Sequence, residues 1–348
     1  MSCTLFCNSP LACPLAMSRT KDMSKNKTQK QSPQASAGGD RAAPKSLEEE
    51  LGLRSGQSLE LLKELHILTR EGRMNQDSRR KLKQVYHLTQ FIESGIHEIV
   101  ERKTNHPFET VDANDKKPAV PPVLTIADHG AGKSYLGFIL YDLLIKNKWD
   151  QAGGSLQAHV YGIETRADLV GASQTLAGKL GFERMTFLNM SVDQAIHQGG
   201  LPAQIDIVTA LHACDSATDD AIAFGLEKSA RFMALVPCCQ AEMAGVLRGS
   251  KALALSRTPL AELWRHPLHT REFGSQITNV LRCLYLESQG YSLTVTELVG
   301  WEHSMKNEII LARYTGQKKK SAAERLKALV VEFGLQSAAH TRFAKVFH

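Results

Sequence analysis

The sequence predicts an α/β fold in which a parallel sheet carries helices on both faces. Three observations lead to this prediction. The apolar run 123–128 ends at a glycine-rich turn and precedes a run with helical spacing, which is typical of a buried strand, a tight loop and a helix. Strand and helix patterns then alternate as far as residue 236. The last two apolar stretches, 291–299 and 308–314, are joined too closely for a helical crossover and should pair antiparallel.

Apolar runs and the residues that interrupt them define the elements in order. Strands of the parallel part are predicted at residues 123–128, 157–163, 185–189, 205–211 and 231–236. Helices are predicted to begin near Lys133, Arg166, Ser216 and Arg271. Gly199, Gly200 and Pro202 indicate a loop between Asp193 and Gln204.

Composition divides the chain into four predicted parts. Residues 1–45 are rich in Ser, Lys, Gln and Gly and are predicted to be a disordered N-terminal arm. Residues 46–104 form a helical accessory region, residues 105–316 the α/β domain, and residues 317–348 a basic C-terminal helix and tail. The long helix of the accessory region is expected to start at Asp77 or Ser78 and to bury Leu82, Val85, Leu88, Ile92, Ile96 and Ile99.

The overall composition narrows the class of protein. With 348 residues, 43% of them hydrophobic, the chain is long enough to bury a substantial core. Its formal net charge of +6 is compatible with nucleic acid as a partner. Seven unevenly placed cysteines do not form a secreted disulfide framework, so a cytoplasmic location is expected. No apolar run reaches the length of a membrane span, and the N-terminal charge order does not suit a signal peptide.

The glycine loop of residues 128–134 has three interpretations in which it binds a ligand. As a phosphate loop it ends in Gly-Lys-Ser, but Ala127 replaces the first glycine and Asp128 would place a carboxylate among phosphates. As a dinucleotide fingerprint it lacks the third glycine, since Tyr135 stands there. As a loop that binds a ligand with a cationic end, it gains from the negative charge of Asp128. A turn that serves only strand–helix packing is the fourth, purely structural possibility.

The sequence Asp128-x-Gly130-x-Gly132 after a first strand resembles motif I of class I S-adenosylmethionine-dependent methyltransferases. The resemblance implies a Rossmann-like, seven-stranded sheet with S-adenosylmethionine as the cofactor. It also implies that both glycines pass under the amino-acid part of the cofactor, and that the acid helps to hold the ammonium group. Glu164, at the end of the second strand, is expected to bind the ribose hydroxyls. Asn189 and Leu211, at the ends of the third and fourth strands, complete the predicted cofactor site.

Two cysteine-containing segments follow the fourth and fifth strands, His212-Ala-Cys214-Asp215 and Pro237-Cys238-Cys239. With the glycine loop and the later Lys306-Asn307, they resemble one branch of the superfamily. That branch contains eukaryotic RNA-methyltransferase-like proteins, and the resemblance covers roughly residues 75–315. Because strands four and five are neighbours in this fold, the two segments should face the reacting methyl group.

Four roles remain open for the predicted catalytic residues. His212 or Asp215 can act as general base for transfer to an oxygen or nitrogen atom. Cys238 can add to a pyrimidine ring, with Cys214 assisting release. Alternatively Cys214, Cys238, Cys239 and His212 bind a metal, although the usual ligand spacing is missing. In the fourth case the cysteines only pack as small apolar side chains.

The sequence therefore predicts an S-adenosylmethionine-dependent methyltransferase acting on ribosomal or transfer RNA. The basic balance of the chain and a cluster of cations at residues 79–83 support RNA as the substrate. A protein methyltransferase and a non-catalytic, cofactor-binding regulatory protein are the alternatives. The sequence does not determine the oligomeric state.

Overall fold

The computed structural model describes residues 50–105, 123–146, 157–213, 215–237, 241–249, 258–298 and 308–347. All of these belong to the compact unit Ser46–His348. The predicted N-terminal arm lies outside the described residues. So do five residues of the predicted motifs: Cys214, Cys238, Cys239, Lys306 and Asn307. For His212, the structure describes the backbone.

The described strands form one seven-stranded sheet. They are β1 (Val123–His129), β2 (Gln157–Glu164), β3 (Met185–Asn189), β4 (Ile207–Ala213), β5 (Phe232–Pro237), β6 (Tyr291–Glu297) and β7 (Glu308–Tyr314). Their order across the sheet is β3-β2-β1-β4-β5-β7-β6. The first five strands are parallel, and β7 pairs antiparallel with both β5 and β6. This arrangement confirms the predicted Rossmann-like sheet with its terminal antiparallel hairpin.

Two separate hydrophobic clusters join the sheet to its helices. Helices cover both faces of the sheet. In chain order they are α1 (Leu59–Glu64), α2 (Gln76–Asn105), α3 (Tyr135–Leu140, continued by a π turn at Tyr141–Ile145), α4 (Ala167–Leu180), α5 (Val192–His197), α6 (Ser216–Glu227), α7 (Ala241–Gly249), α8 (Pro267–Ser288), α9 (Lys320–Glu332), α10 (Gln336–Arg342) and α11 (Ala344–Phe347). A short 3-10 helix, Pro259–Trp264, precedes α8.

The structure differs from the sequence prediction at strand β4, at the loop after β3, and at the start of α8, which begins at Pro267 instead of near Arg271. Strand β4 begins and ends two residues later than predicted, because Asp206 is not part of the strand. Its carboxylate accepts a hydrogen bond from the amide of Thr125 at 2.9 Å. The predicted loop after β3 contains helix α5, which begins with a capping box: Ser191 and Gln194 each bond the other's backbone amide.

The long helix α2 buries the predicted apolar stripe, from Leu82 to Ile99. It begins earlier than expected, and its N-terminal cap is Asn75, whose side-chain oxygen accepts from the amide of Ser78 at 2.7 Å. The helix lies close against the sheet at Gly95, where a Cβ would come within 2.8 Å of the Phe232 ring. The accessory region therefore shares its core with the sheet.

The C-terminal segment also joins the core. Ala322, Leu326 and Val330 of α9, and Phe343 after α10, are fully buried in the hydrophobic cluster that contains β4 and α6. On its outer face, the exposed residues Lys319 and Arg325 pair with Glu287. Among the described residues, no helix has the length and apolar character that crossing a membrane requires.

Candidate functional site

The turn after β1 is a tight glycine loop fastened to the end of β2. Gly130 and Gly132 have φ angles of 66° and 57°, a conformation in which a side chain is strained. The amide of Ala131 donates to the carbonyl oxygen of Ile163 at 3.1 Å, and the amide of Gly132 donates to Oε2 of Glu164 at 2.8 Å. The loop therefore has a fixed shape, with open space where Gly130 would carry a Cβ.

The carboxylate of Glu164 lies beside this loop and is held by Arg166. Oε1 accepts from the Arg166 amide at 3.1 Å and from Nε at 3.2 Å, while Oε2 accepts from Nη2 at 3.3 Å. Burial raises the pKa of Glu164, but the hydrogen bonds from Arg166 and Gly132 and the Arg166 charge lower the pKa overall. Glu164 is therefore an anion at neutral pH. The Arg166 side chain, 62% exposed, occupies positions that another donor could take.

Asp128 behaves differently, because it is buried beneath the loop. Its side chain is 2% exposed, and Oδ1 accepts from the Thr209 hydroxyl at 2.8 Å. Burial raises the pKa of Asp128 from 3.8 to about 7, against hydrogen bonds from Thr209 and from the Gly137 amide, which lower it. Asp128 thus links β1 to β4. Its predicted contact with the cofactor stays a prediction.

His129, the last residue of β1, is a buried group that the sequence analysis did not consider. It is 6% exposed, and neither ring nitrogen has a hydrogen-bond partner among the residues that the structure describes. Its ring lies 6.1 Å from that of Phe224 on α6. Burial lowers the pKa of His129 to about 4, although the charge of Glu164 opposes this effect. The imidazole is therefore neutral at neutral pH. Its position next to the glycine loop was the signal that could have revealed it.

The segment after β3 lies next to Glu164. The side-chain amide of Asn189 donates to the carbonyl oxygens of Glu164 at 3.2 Å and Thr165 at 2.8 Å. The amide of Met190 donates to the Glu164 carbonyl as well, at 3.2 Å. Asn189 is exposed, so its remaining surface is open to solvent. The structure thus brings Asn189 to the glycine loop, with its amide group tying β2 to β3.

The end of β4 has an irregular backbone at the predicted catalytic residues. The pairing with β5 shifts between Leu211 and Ala213, which makes His212 the irregular position. Leu211 is partly buried and packs against the core. Asp215 follows with φ 45° and ψ −119°, a strained conformation for a residue with a side chain. Its carbonyl oxygen accepts from Nη2 of Arg282 at 2.8 Å.

These observations place the predicted cofactor residues at one edge of the sheet. Glu164 contacts both the loop glycine Gly132 and Asn189. Sequence reasoning missed Arg166, which follows the strand-end acid by two residues, and Arg282, which is 67 residues away from its partner Asp215. The first could have been found from its spacing. The second carries no local signal.

A seven-stranded sheet of this order, with a glycine loop at the carboxyl end of β1, is a Rossmann-like fold of the class I methyltransferase type. A family model described as "Methyltransferase domain" matches residues 80–246, just under half of the chain. The match begins within α2 and includes the glycine loop and the ends of β2, β4 and β5. No curated protein matches the chain.

Several solved structures are similar at low identity. Magnesium protoporphyrin IX methyltransferase from Synechocystis, with bound S-adenosylhomocysteine, is 13% identical; the similarity covers 74% of this chain and 100% of that protein, with a TM-score of 0.37. An rRNA methylase from Streptococcus thermophilus is 10% identical over 56% of this chain and 86% of its own, with a TM-score of 0.32. Fibrillarin from Aeropyrum pernix, with bound S-adenosylmethionine, is 11% identical over 57% and 70%, also with a TM-score of 0.32. At these scores the similarities do not indicate a substrate.

The family match and the sheet together support a class I methyltransferase domain, whose cofactor is S-adenosylmethionine. The residues at the sheet edge fit this molecule. Gly130 leaves open space above the loop, and Glu164 supplies an anion that can accept from hydroxyl groups. The two buried nitrogens of His129 have no partner within the described ranges. A phosphate-bearing ligand fits less well, since Glu164 would oppose its charge.

Proposed function

We propose that this chain is an S-adenosylmethionine-dependent methyltransferase that acts on RNA. The cofactor supplies an electrophilic methyl group on a sulfonium centre. The tasks of the protein are therefore to bind the cofactor, to align the acceptor atom and to remove a proton where the acceptor carries one. The observation that supports cofactor binding best is the fixed glycine loop with an ionised Glu164 beside it.

In this proposal each predicted cofactor residue has a physical role. Gly130 and Gly132 let the backbone pass close beneath the amino-acid part of the cofactor. Glu164 accepts the ribose hydroxyls after the exposed Arg166 side chain has turned away. Asn189 and Leu211 border the adenine and the methyl group, respectively. Asp128 supports the loop from its buried side. Any effect of Asp128 on the ammonium group of the cofactor is transmitted through the loop.

The proton acceptor is proposed to be His212 or Asp215, at the irregular end of β4. Asp215 is partly buried, and Oδ1 accepts from the amide of Glu242 at 3.4 Å. The alternatives based on Cys214, Cys238 and Cys239 stay as the sequence leaves them: nucleophile, metal ligands or packing residues. The four-part division of the chain likewise remains a proposal.

RNA as substrate is supported by a cleft in the accessory region, here called the accessory groove. It encloses about 540 Å³ around the turn between α1 and α2. Three exposed cations line it, Lys63, Arg70 and Arg73, together with His66. None of the three forms a salt bridge with a residue that the structure describes. Their charges are therefore available to a polyanion.

The two acidic residues of the accessory groove share one cation that lies outside it. Lys179 of α4 lies 3.4 Å from Oε1 of Glu60 and 2.5 Å from Oε1 of Glu64. A second cleft, of about 230 Å³, shares Glu64 and His66 with the groove and extends to Lys133 of the glycine loop. The two clefts therefore adjoin, and together they lead from the accessory region to Lys133, a cation at the glycine loop.

Calorimetric titration of S-adenosylmethionine tests the cofactor. The wild type should bind it and should not bind ATP. Gly132→Arg, which puts a side chain on a strained position of the loop, should weaken binding at least about tenfold, equivalent to about 1.4 kcal/mol. Gly178→Arg is the matched control, because Gly178 is exposed on α4 with open space around it. Binding of ATP but not of S-adenosylmethionine would restore the phosphate-loop interpretation.

Radiolabelled S-adenosylmethionine, incubated with the protein and separated RNA and protein fractions, tests the substrate class. Label that ribonuclease removes supports the proposal, whereas label that only protease removes indicates a protein methyltransferase. Cofactor binding without label in either fraction indicates the regulatory alternative. Each outcome thus selects one of the three functions.

The accessory groove is tested by anisotropy with a short single-stranded RNA at several salt concentrations. Replacing Lys63, Arg70 and Arg73 by Gln should lower the slope of log affinity against log salt by about 2, at roughly 0.7 per lost phosphate contact. The control replaces Lys318, Lys320 and Lys327, three exposed lysines outside the groove, by Gln. Equal effects of the two triple variants would contradict a specific role of the groove.

A further inference from the structure

A buried ionic network stands behind the irregular end of β4. Arg282, on α8, has no exposed surface, and its guanidinium makes four hydrogen bonds. Nε and Nη2 donate to the two carboxylate oxygens of Asp219 at 2.6 and 3.0 Å, and Nη1 donates to Oδ1 of Asn279 at 3.1 Å. The remaining bond, from Nη2 to the Asp215 carbonyl, reaches outside the network.

A second arginine completes the network from the C-terminal segment. Nη1 of Arg342, on α10, donates to Oδ2 of Asp219 at 2.6 Å, and its Nη2 bonds the carboxylate of Glu242. Two buried cations therefore face one buried carboxylate, that of Asp219, and the half-exposed carboxylate of Glu242. Glu242 also reaches the same turn, since its amide donates to the carboxylate of Asp215 at 3.4 Å.

We propose that Arg282 is a positioning residue for the turn between β4 and α6, and that Asp219 and Arg342 hold its guanidinium in place. The turn needs such support, because Asp215 adopts φ 45° and ψ −119°, where residues with side chains are strained. A strained backbone persists only where its surroundings fix it. Here the carbonyl of Asp215 accepts a hydrogen bond from Arg282, and its carboxylate accepts one from the amide of Glu242. Both donors belong to residues of the network.

Stability alone does not account for this network. Buried ion pairs are often no more stabilising than apolar side chains of similar size. An apolar residue at position 282 could fill the space, but it could not donate to the carbonyl of Asp215. The planar guanidinium spreads its donors over three nitrogens. Nε and Nη2 bond both oxygens of Asp219, Nη1 bonds Asn279, and Nη2 also reaches the carbonyl of Asp215, a set that the single nitrogen of a lysine ammonium cannot span. The position thus requires arginine for its geometry.

The inference rests on the proposed function only for the meaning of the turn, which carries the predicted proton acceptor Asp215 and follows the other candidate, His212 of β4. It assigns the C-terminal segment a role in the site, because Arg342 holds Asp219 from α10. The cofactor residues Gly132 and Glu164 have no contact with this network in the described part of the chain. Loss of positioning should therefore affect methyl transfer and leave cofactor binding unchanged.

The test is hydrogen exchange of the full-length protein, measured by mass spectrometry with S-adenosylhomocysteine present. Arg282→Lys keeps the charge and should accelerate exchange in the peptide that spans residues 210–218 by at least about tenfold. Peptides that span the glycine loop should be unchanged. Arg313→Lys is the matched control, because Arg313 pairs with Glu98 at 3.2 Å and does not contact the turn.

Two further readouts separate positioning from general stability. The affinity of Arg282→Lys for S-adenosylhomocysteine should stay within about twofold of that of the wild type. The kcat for methyl transfer to RNA should fall with little change in the KM for RNA. If Arg282→Lys does not fold, Arg342→Lys takes its place and should accelerate exchange in the same peptide by a smaller factor. Uniform acceleration across α6 and α8, or no acceleration at the turn, would overturn the inference. Failure of RNA labelling leaves the exchange result valid, so it counts against the proposed function alone.

Discussion

The buried carboxyl of Asp128 makes the stability of the protein depend on pH in a direction opposite to that of most acids. Its pKa is about 7 in the folded chain, against 3.8 as the ordinary value, because burial disfavours the charged form. Between these two values the folded protein holds a proton that the unfolded chain has released. Raising the pH through this window therefore destabilises the fold, and the contribution of the protonated carboxyl is fully present only below about pH 4.

The size of the effect follows from the pKa difference. One unit corresponds to about 1.4 kcal/mol, so the full shift corresponds to on the order of 4 kcal/mol. Asp128→Asn removes the titration and keeps an oxygen that can accept from the Thr209 hydroxyl. We expect the stability of the variant relative to the wild type to increase by roughly 2–4 kcal/mol from pH 4.5 to pH 7.5.

Urea denaturation followed by circular dichroism at several pH values measures this difference. Comparison of the two proteins at each pH cancels the titration of all other groups. Asp77→Asn serves as the surface control for the same change of residue type, since the Asp77 side chain is 81% exposed. Parallel stability curves for Asp128→Asn and the wild type, within about 0.5 kcal/mol, would refute a raised pKa and the buried placement that causes it.

Two other predictions concern the loop and the helix packing. Arg166→Ala removes the guanidinium from both oxygens of Glu164, which keep their backbone donors, and should strengthen S-adenosylmethionine binding by up to about fivefold, since an exposed ion pair is worth about 0–1 kcal/mol. Calorimetry that shows weaker binding would mean that Arg166 itself contacts the cofactor. Gly274→Ala should destabilise the protein by about 1–3 kcal/mol in urea denaturation, because the added Cβ would lie 2.8 Å from the backbone nitrogen of Ala244. Gly178→Ala, with open space around it, should instead be neutral or stabilising.

The sheet could be predicted because buried parallel strands are continuous apolar runs, a signal that depends on few distant contacts. The prediction failed where polar residues altered that signal. Asp206 lies within the apolar run before β4, and its bond to Thr125 on another strand is invisible in the sequence. Helix α5 was missed because glycines and a proline follow it, although Ser191 and Gln194 form a recognisable cap.

The candidate site could be predicted less completely than the fold. Strand ends identify which residues meet at the edge of the sheet, and Glu164, Gly132 and Asn189 do meet there. The sequence does not show which acid has a cationic partner at that edge, so it could not reveal that Glu164 is ionised and that Asp128 is partly protonated. It also contains no signal for Arg282, whose contact with Asp215 joins segments far apart in the chain.

The two acids at the glycine loop illustrate why that difference matters. Their environments move the two pKa values in opposite directions: burial leaves Asp128 partly protonated near neutral pH, while Arg166 and Gly132 keep Glu164 ionised. The negative charge at the loop is therefore that of Glu164, and the exposed guanidinium of Arg166 already compensates part of it. A ligand that approaches this edge with hydroxyl donors has to displace that guanidinium, whereas a cationic group gains from Glu164 only the charge that Arg166 leaves uncompensated. Cofactor affinity should consequently depend on Arg166 more than on Asp128, although the sequence motif gives weight only to the latter.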